Sequence, residues 1–341
     1  MTESPRRASI RRVAEEAGVS VSTVSNVLNK PHLVATETRL RVESVMDEFG
    51  FVRNGAARQL RGVRSPVVGC VVLDISNAFF AEVTRGVQDR LAEADCMIVL
   101  CSTDVRESRE THYLRLLEEQ GVRGILVNPV SPSLDRLKEL SKRGTPVVLI
   151  DHRQDDPGLC TAAVDNVRGG QLAADHLLEL GHRRIVYLNA EVDLFVLGER
   201  REGIRRAVAA AGGDAGVVEV RIPPPANADG ADQAVERVLA LSPRPTGIIC
   251  FNDTAALGVL RGLGRHGLAV PRDMSVVGYD DVQFAACLSP PLTTVRQPRY
   301  ELGRAAAELL LSESTPDHEH QERIFRPVLV VRGSTGPPAG G

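Results

Sequence analysis

Residues 10–29 read IRRVAEEAGVSVSTVSNVLN, and the folding of the first part of the chain follows from this stretch. Its apolar and small residues recur at the spacing of one helical face. Gly18 interrupts the pattern where a left-handed residue is suited, and Ser20 can cap a second helix from residue 21 to residue 29. The pattern predicts two helices joined by a tight turn, an arrangement that reads DNA; an αα-hairpin without a ligand is the alternative.

The remaining sequence is long enough to bury a substantial core. The chain has 341 residues, of which 43% are hydrophobic and 25% charged, an ordinary globular composition that predicts about two domains and a small appendage. Residues 1–65 carry 11 basic and 7 acidic side chains, whereas residues 66–341 carry 30 basic and 37 acidic ones. A basic head on an acidic body is compatible with a polyanionic partner at one end.

The sequence shows neither a membrane segment nor a familiar catalytic motif. Its apolar runs stay shorter than the roughly 20 residues of a membrane helix, and residues 1–12 are polar and basic with no apolar stretch behind them. Phosphate-loop, zinc-protease and nucleophile-elbow motifs are absent. We therefore expect a cytoplasmic protein that makes no membrane contact, is not an enzyme and uses no cofactor.

The six cysteines are scattered along the chain. They form neither a C-x-x-C pair nor a cluster with histidine at zinc spacing, so we expect no metal site and take them as small buried residues. They are Cys70, Cys96, Cys101, Cys160, Cys250 and Cys287.

From residue 66 onward, short apolar runs alternate with helical patterns, as parallel strands with crossover helices require. Two such series follow one another, which predicts an α/β body made of two layers of similar size. The predicted strands are Val67–Leu73, Met97–Leu100, Gly124–Val127, Val147–Ile150, Ile185–Leu188, Val217–Val220, Gly247–Phe251, Ser275–Tyr279 and Phe325–Val331.

Polar and aromatic residues follow many of these strands. Because ligands bind at the carboxyl ends of parallel strands, we expect these residues to line a cleft between the two layers. Carboxylates, amides and one central arginine suit a sugar or polyol. The candidates are Asn77, Phe79, Phe80, Asn128, Asp151, His152, Phe195, Arg200, Asn252, Asp280 and Gln297. Asp253 and Asp281 also follow strands, but helix N-capping is the preferred interpretation for both.

Residues 10–29 resemble the DNA-binding head of the LacI/GalR (lactose-repressor) family of bacterial transcription regulators. The resemblance continues through Thr36-Glu-Thr-Arg39, through residues 49–60 and into body segments such as Arg200-Arg-Glu-Gly203 and Val276-Val-Gly-Tyr-Asp-Asp281. It implies a helix-turn-helix head, a hinge helix and a periplasmic-binding-protein-like body of two parallel-sheet, Rossmann-like subdomains.

The resemblance also implies a division into domains. We expect a helix-turn-helix domain over residues 1–53, a hinge helix and linker over 54–65, and an effector-binding and dimerisation domain over 66–341. Within the last, subdomain 1 is expected to span about residues 66–164 and 296–324, and subdomain 2 about residues 165–295 and 325–333.

By the same resemblance, the start of the second helix enters the major groove of DNA. Helical spacing places Val21, Ser22 and Asn26 on one surface, and an asparagine that reaches a base edge prefers adenine. The alternative for Asn26 is contact with phosphate or water alone. Residues suited to phosphate contacts are Ser20, Thr23, Ser25 and Asn29.

Fewer than ten residues cannot hold a helix alone in water, so the hinge must fold against another surface. The resemblance implies that this surface is the operator DNA. Asn54 can cap this helix. Under the resemblance, Leu60 matches the leucine that family members insert between base steps in the minor groove, and Ala57 matches its small neighbour. Packing of Leu60 against the body is the alternative.

The predicted function is a ligand-responsive transcription regulator. It is expected to be a repressor that binds a near-palindromic operator in double-stranded DNA as a homodimer, with a sugar or polyol as effector. His152 stands where sugar-binding relatives commonly carry arginine, which leaves the ligand open. A solute-binding protein of a transport system would share the body and is the alternative, but residues 8–62 would have no role in it.

Overall fold

The computed structural model describes residues 9–51, 64–131, 133–153, 158–313, 315 and 318–339. The chain divides into two compact units, residues 1–64 and residues 65–341. Asn54, Ala57 and Leu60, which were predicted to act in the hinge, lie outside the described residues. None of the helices in the described ranges combines the length and the apolarity that crossing a bilayer requires.

The first unit is a domain with helix-turn-helix geometry, built from α1 (Ile10–Glu16), α2 (Val21–Asn29) and α3 (Thr36–Glu48). Gly18 has a φ of 62° in the turn between α1 and α2, a conformation that side chains with a Cβ rarely adopt. The helices enclose a small core formed by Val13, Ala14, Ala17, Val24, Val27, Val42 and Met46.

The caps of this domain differ in strength. The Ser20 hydroxyl accepts a hydrogen bond from the backbone N–H of Thr23 at 3.1 Å, so α2 is capped as predicted. In contrast, Ala35 stands at the N-cap of α3 and has no side chain that could accept such a bond. The start of α3 therefore lacks the side-chain cap that the starts of α1 and α2 have.

The second unit contains two six-stranded sheets. Its strands are β1 (Val67–Val72), β2 (Met97–Ser102), β3 (Ile125–Val127), β4 (Val147–Ile150), β5 (Cys160–Val164), β6 (Arg184–Ala190), β7 (Gly216–Ile222), β8 (Gly247–Cys250), β9 (Ser275–Asp280), β10 (Thr293–Arg296), β11 (Glu322–Phe325) and β12 (Val328–Val330). Its helices are α4 (Ala78–Ala92), α5 (Glu107–Glu119), α6 (Asp135–Lys142), α7 (Asn166–Glu179), α8 (Phe195–Ala211), α9 (Ala228–Leu239), α10 (Asp253–Arg265) and α11 (Arg299–Ser312).

Each sheet belongs to one subdomain. The order is β11-β5-β4-β3-β1-β2 in subdomain 1 and β12-β10-β9-β8-β6-β7 in subdomain 2. All pairings are parallel except that of β12 with β10. The chain passes between the sheets three times, after β5, after β10 and after β11. Parallel sheets therefore form both layers, as the β/α alternation predicts.

Glycines allow the helices on these sheets to approach closely. A Cβ at Gly170 of α7 would collide with the backbone carbonyl of Arg200 in α8, and one at Gly203 of α8 would collide with that of Val167. The same arrangement recurs in subdomain 1, where Gly86 of α4 and Gly303 of α11 face each other's helix backbone. The α7–α8 contact matters for function because it fixes the position of Arg200.

The predicted strands differ from the structure at three places. β5 and β10 were not predicted, since small and polar residues replace an apolar run in Cys160-Thr-Ala-Ala-Val164 and in Thr293-Thr-Val-Arg296. The single strand expected over Phe325–Val331 is instead two short strands in different sheets, β11 and β12, separated by residues 326–327. Pro327 has no N–H to continue a ladder.

The expectation that all six cysteines are buried was also wrong. Cys287 is exposed and Cys101 is half-buried, whereas the other four are buried.

Candidate functional site

The exposed face of α2 is the candidate DNA-reading surface. Val24 and Val27 are buried in the core, while Val21 (43% exposed), Ser22 and Asn26 lie on the opposite, solvent-facing side. The helical spacing therefore predicted this face correctly. An apolar patch, a hydroxyl and an amide on one helix surface can contact base edges in a major groove.

Hydroxyl groups cluster at the N-terminus of the same helix. The Ser20 Oγ lies 2.7 Å from the Ser22 Oγ and 2.8 Å from the Thr23 Oγ1. Near the other end, the Asn29 side-chain amide donates to the backbone carbonyl of Ser25 at 2.8 Å. Hydroxyl donors and free backbone N–H groups at a helix N-terminus favour an anion such as a DNA phosphate.

Arg200 is the central side chain of the candidate effector cleft in the second unit. Although it carries a full charge, it is only 6% exposed. Its Nε donates to the Asn166 Oδ1 at 2.9 Å, and its Nη1 donates to the backbone carbonyl of Phe251 at 2.6 Å. The guanidinium carbon also lies 3.7 Å from the centroid of the Tyr279 ring, a cation–π contact. Arg200 is thus held rigidly by three elements.

Asn166 connects this arginine to subdomain 1. Its Nδ2 donates to the Asp151 Oδ1 at 3.2 Å, and its Oδ1 also accepts a hydrogen bond from the Tyr279 hydroxyl at 3.0 Å. Asp151 stands at the carboxyl end of β4, whereas Asn166, Arg200 and Tyr279 belong to subdomain 2. A continuous, buried hydrogen-bond chain therefore joins the two subdomains at the cleft.

Asp280 ends β9 on the other side of Arg200. It has a φ of 111°, an uncommon conformation for a residue with a side chain, and such strain concentrates at functional sites. The Gln297 Nε2 donates to the Asp280 Oδ1 at 2.7 Å, and Arg299 donates to the Asp280 backbone carbonyl. These contacts tie Asp280 to the segment that leads from β10 to α11.

Burial changes the charge states of this region. It raises the pKa of Asp280 to about 6 and also raises that of Asp151, while the nearby Arg200 guanidinium opposes both shifts. Burial raises the pKa of Glu199 to about 7, to which the Asp151 carboxylate contributes. It lowers the pKa of His152 to about 4, so His152 is neutral at pH 7. The cleft combines the fixed Arg200 cation with several carboxyl groups of weakened acidity.

Two amide oxygens near the cleft are buried without a hydrogen-bond partner among the described residues. They are the Gln297 Oε1 and the Asn128 Oδ1. The Nδ2 of Asn128 is already used, since it donates to the Ile150 carbonyl at 2.6 Å. Buried acceptors without partners are costly, so a bound molecule with O–H or N–H donors would relieve them.

The structure places the other six predicted effector residues in three pairs. The ring centroids of His152 and Phe195 lie 4.5 Å apart with the rings tilted by 35°, a contact between a residue of subdomain 1 and one of subdomain 2. In contrast, the rings of Phe79 and Phe80 contact each other, with centroids 5.0 Å apart, within the core of subdomain 1. Asn77 and Asn252 are helix caps, accepting from Phe79 N at 3.0 Å and Ala255 N at 2.8 Å.

The N-capping interpretation was wrong for both Asp253 and Asp281. Asn252 caps α10, and Asp253 instead accepts hydrogen bonds from the Thr294 hydroxyl at 2.6 Å and from the Val282 N–H at 2.9 Å. Asp281 forms ion pairs with Arg296 and Arg332, each at 2.6 Å. The Asp253 carboxylate thus joins the start of α10 to β10 and to the segment after β9, and Asp281 joins that segment to two arginines. Sequence spacing alone does not reveal these contacts.

Sequence reasoning missed Asn166 and Tyr279. Asn166 lies two residues after the end of β5, so the rule about polar residues just past strands would have pointed to it had that strand been recognised. A cavity of about 350 Å³ opens beside the cleft at the ends of β6 and β7. None of the predicted effector residues lines it; its walls are formed by Asn189, Glu191, Val192, Asp193, Leu194, Leu197, Gly198, Arg201 and Arg221.

A helix-turn-helix unit and a two-sheet body with a charged cleft define a DNA-binding protein that carries a ligand-binding domain. Residues 9–54 match the family model for bacterial regulatory proteins of the lacI family, and residues 174–335 match that for periplasmic binding protein-like domains. The chain is 36% identical over 336 residues to the HTH-type transcriptional repressor PurR of Aliivibrio fischeri (strain MJ11), covering 96% of this chain and 98% of the relative. It belongs to the LacI family of bacterial regulatory proteins.

Solved structures agree with this assignment. The lac repressor dimer bound to operator and the anti-inducer ONPF matches with a TM-score of 0.84 and 26% identity over 97% of this chain and all of that chain. A LacI family regulator from Enterococcus faecium with bound ribose matches with a TM-score of 0.72 and 31% identity over 80% of this chain and 99% of that one. The chain is a DNA-binding transcription regulator with an effector-binding domain, and its family is not enzymatic.

Proposed function

We propose that this protein represses transcription as a homodimer on a near-palindromic operator, and that a sugar or related polyol bound in the cleft controls its operator affinity. The observation that carries the proposal is the buried chain Asp151–Asn166–Arg200, which joins both subdomains. A ligand that replaces or tightens these contacts changes the relation between the subdomains. Such a differential contact is what an allosteric effector needs.

The chemistry of the cleft favours a neutral ligand with several hydroxyl groups. Asp280 and Asp151 offer carboxylate oxygens, and Arg200 offers donors. Gln297 and Asn128 offer buried amide oxygens that have no hydrogen-bond partner among the described residues. A polyol both donates and accepts hydrogen bonds and can serve all of them at once. The ribose-bound regulator from Enterococcus faecium supports this class of effector.

On the DNA side, the proposal assigns base reading to Val21, Ser22 and Asn26 and phosphate contacts to the flanking polar residues of α2. Asn26 offers the amide pair that matches adenine in the major groove. The phosphate contacts are assigned to Ser20, Thr23, Ser25 and Asn29. The proposed minor-groove residues Asn54, Ala57 and Leu60 lie outside the described residues.

An exposed apolar edge supports the homodimer. β2 is the edge strand of its sheet, and Met97 (58%), Val99 (41%) and Leu100 (41%) are all exposed on it. Strands of parallel sheets are normally covered on both faces, and a contiguous exposed apolar patch marks an interaction surface. The lac repressor structure with which this chain aligns is a dimer.

The test is an operator-binding titration with full-length protein. Labelled fragments from upstream of its own gene are bound at low salt, and ribose, other sugars, polyols and nucleobases are added in turn while anisotropy is read. We expect one sugar or polyol to change the operator Kd by about 5–150-fold, and Asp280→Asn to remove this response while leaving effector-free binding intact.

Asp214→Asn is the matched control, because the Asp214 side chain is 86% exposed and remote from Arg200's partners. It should respond like the wild type. A full response in Asp280→Asn would contradict the assigned cleft, and a response to a nucleobase alone would contradict the sugar assignment. Failure to bind any of these fragments, with or without metabolites, would contradict the repressor itself.

A further inference from the structure

A cluster of metal-ligating side chains lies in subdomain 1, away from the cleft. Cys160 is the first residue of β5, Glu313 directly follows α11, and His318 and His320 precede β11. They meet because β11 pairs with β5, with Glu322 opposite Thr161. We propose that these four residues form a binding site for a divalent transition-metal ion of the zinc class.

The distances between the ligand atoms fit one tetrahedral ion. The Cys160 Sγ lies 3.1 Å from the His318 Nε2 and 3.8 Å from the His320 Nδ1. The Glu313 Oε1 lies 3.3 Å from the His318 Nε2 and 3.2 Å from the His320 Nδ1. All four atoms lie within 4.8 Å of one another. Metal–ligand bonds of about 2.0–2.3 Å at tetrahedral angles place ligand atoms roughly 3.3–3.7 Å apart, so small side-chain movements complete the site.

The surroundings of Glu313 independently favour a bound cation. Its Oε1 is buried and has no hydrogen-bond partner among the described residues, even though two imidazole nitrogens are close. Cys160 is fully buried, and the side chains of Glu313 and His318 are each 9% exposed. A buried, unpartnered carboxylate oxygen is costly, and a cation bound between these atoms would compensate for it.

The ligand types select the metal. One thiolate, two imidazoles and one carboxylate suit Zn²⁺ and its neighbours in the first transition series, whereas Mg²⁺ and Ca²⁺ require oxygen ligands. Four protein ligands leave no open position, which is typical of a structural rather than a catalytic zinc site.

The position of the site gives it a structural consequence. The chain crosses between the two sheets at three places. The first crossing follows β5, the second leads from β10 into α11, and the third follows β11. A metal bound here would join all three segments within subdomain 1. Cys160 pairs with Val148 at the start of β5. The cleft end of β5 at Val164 is four residues further along the strand, about 13 Å away, so the metal site is separate from the effector cleft.

Sequence spacing could not reveal this site. His318 and His320 are two residues apart, a spacing compatible with a shared side of extended chain, but Cys160 precedes His318 by 158 residues. The expectation of no metal site rested on contiguous Cys and His motifs, and these ligands become neighbours only through the β5–β11 pairing.

The experiment uses untagged full-length protein freed of metal with a chelator and titrated with Co²⁺. We expect one equivalent to bind per chain, with the visible absorption of tetrahedral cobalt and a near-ultraviolet thiolate-to-cobalt charge-transfer band. Zn²⁺ should displace the cobalt and raise the Tm by about 5–10 °C, whereas Mg²⁺ should not.

Variants assign the ligands. Cys160→Ser should lose the charge-transfer band. His320→Gln should weaken cobalt binding at least about tenfold, because even changing a group that only supports a metal ligand has an effect of this size. Because Cys160 is buried and its variant can fail to fold, His320→Gln, whose wild-type side chain is 32% exposed, gives the second test, with folding checked by circular dichroism.

Cys287→Ser and His266→Gln are controls, since both residues are exposed and outside the cluster. Both should bind cobalt like the wild type. The proposal is overturned if the wild type shows no charge-transfer band, if the band persists in folded Cys160→Ser, or if either control loses it. Equal affinity of the wild type and His320→Gln for Co²⁺ would likewise contradict the proposed site.

Discussion

Replacing Glu199 by glutamine should make stability less dependent on pH. Glu199 lies in α8 next to Arg200, its side chain is 12% exposed, and its Oε2 is buried without a hydrogen-bond partner among the described residues. Burial, together with the neighbouring Asp151 carboxylate, raises its pKa from 4.5 to about 7. The folded state therefore binds the Glu199 proton more tightly than the unfolded chain does.

The sign follows from proton linkage. Below about pH 4.5 the side chain is neutral in both states, and wild type and variant should be equally stable. Between about pH 4.5 and 7 the unfolded chain releases the proton first, so the wild type loses stability that the variant keeps. At about 1.4 kcal/mol per pH unit, the loss approaches 3 kcal/mol at pH 8.

The ion pair of Glu199 with Arg153, which the variant loses, offsets only a small part of this gain in stability. Glu199 lies 3.9 Å from Arg153, which is 39% exposed, and such pairs contribute about 0–1 kcal/mol. The variant should therefore be more stable than the wild type by about 2–3 kcal/mol at pH 8, a Tm increase of about 5–10 °C.

The Tm of both proteins is measured at pH 4 and pH 8 by far-ultraviolet circular dichroism. Circular dichroism is chosen over fluorescence because the chain has no tryptophan and only four tyrosines. Glu202→Gln is the control on the same helix, because Glu202 is exposed and forms an ion pair with Arg206, one turn along. Its Tm should change by less than about 2 °C at either pH. A stability difference for Glu199→Gln that is the same at pH 4 and pH 8, or a lower Tm at pH 8, would refute the reasoning.

Four further predictions concern other parts of the chain. Ala35→Ser should stabilise the helix-turn-helix domain by about 1 kcal/mol in denaturant unfolding, because it supplies the missing cap of α3; no gain would mean that the cap is satisfied otherwise. Met97→Glu should convert a dimer into a monomer in analytical ultracentrifugation, since it charges the exposed edge of β2. Leu60→Ala should weaken operator binding but leave salt-sensitive binding to random duplex unchanged. The control Leu40→Ala, at an exposed position of α3, should leave both unchanged. Asp281→Asn should destabilise the body by about 2 kcal/mol in urea, because two arginines lose their carboxylate; an unchanged midpoint would show that neither ion pair contributes.

The local elements were predictable because they depend on neighbours in the sequence. The second helix spans residues 21–29 as expected, since Ser20 caps it and Gly18 separates it from the first. β4 spans Val147–Ile150 as expected, since four consecutive apolar residues form a fully buried strand. β5 and β10 lack such a run, and their strand conformation comes from pairing with neighbouring strands.

The sequence by itself determined which side chains were available to the candidate sites. Arg200 and Asp280 were singled out because one begins a motif that resembles the family and the other directly follows a predicted strand. Caps, turns and periodicity act within a few residues, so the order of amino acids suffices to specify them.

Only the tertiary structure decided which of these side chains meet. Asn166 reaches both Asp151 and Arg200 because glycines let α7 and α8 approach, and Asp253 bonds to β10 instead of capping its helix. Cys160 meets His318 across 158 residues only through the pairing of β11 with β5. Such contacts depend on strand order and helix packing, which minimise the free energy of the whole domain rather than of any local segment.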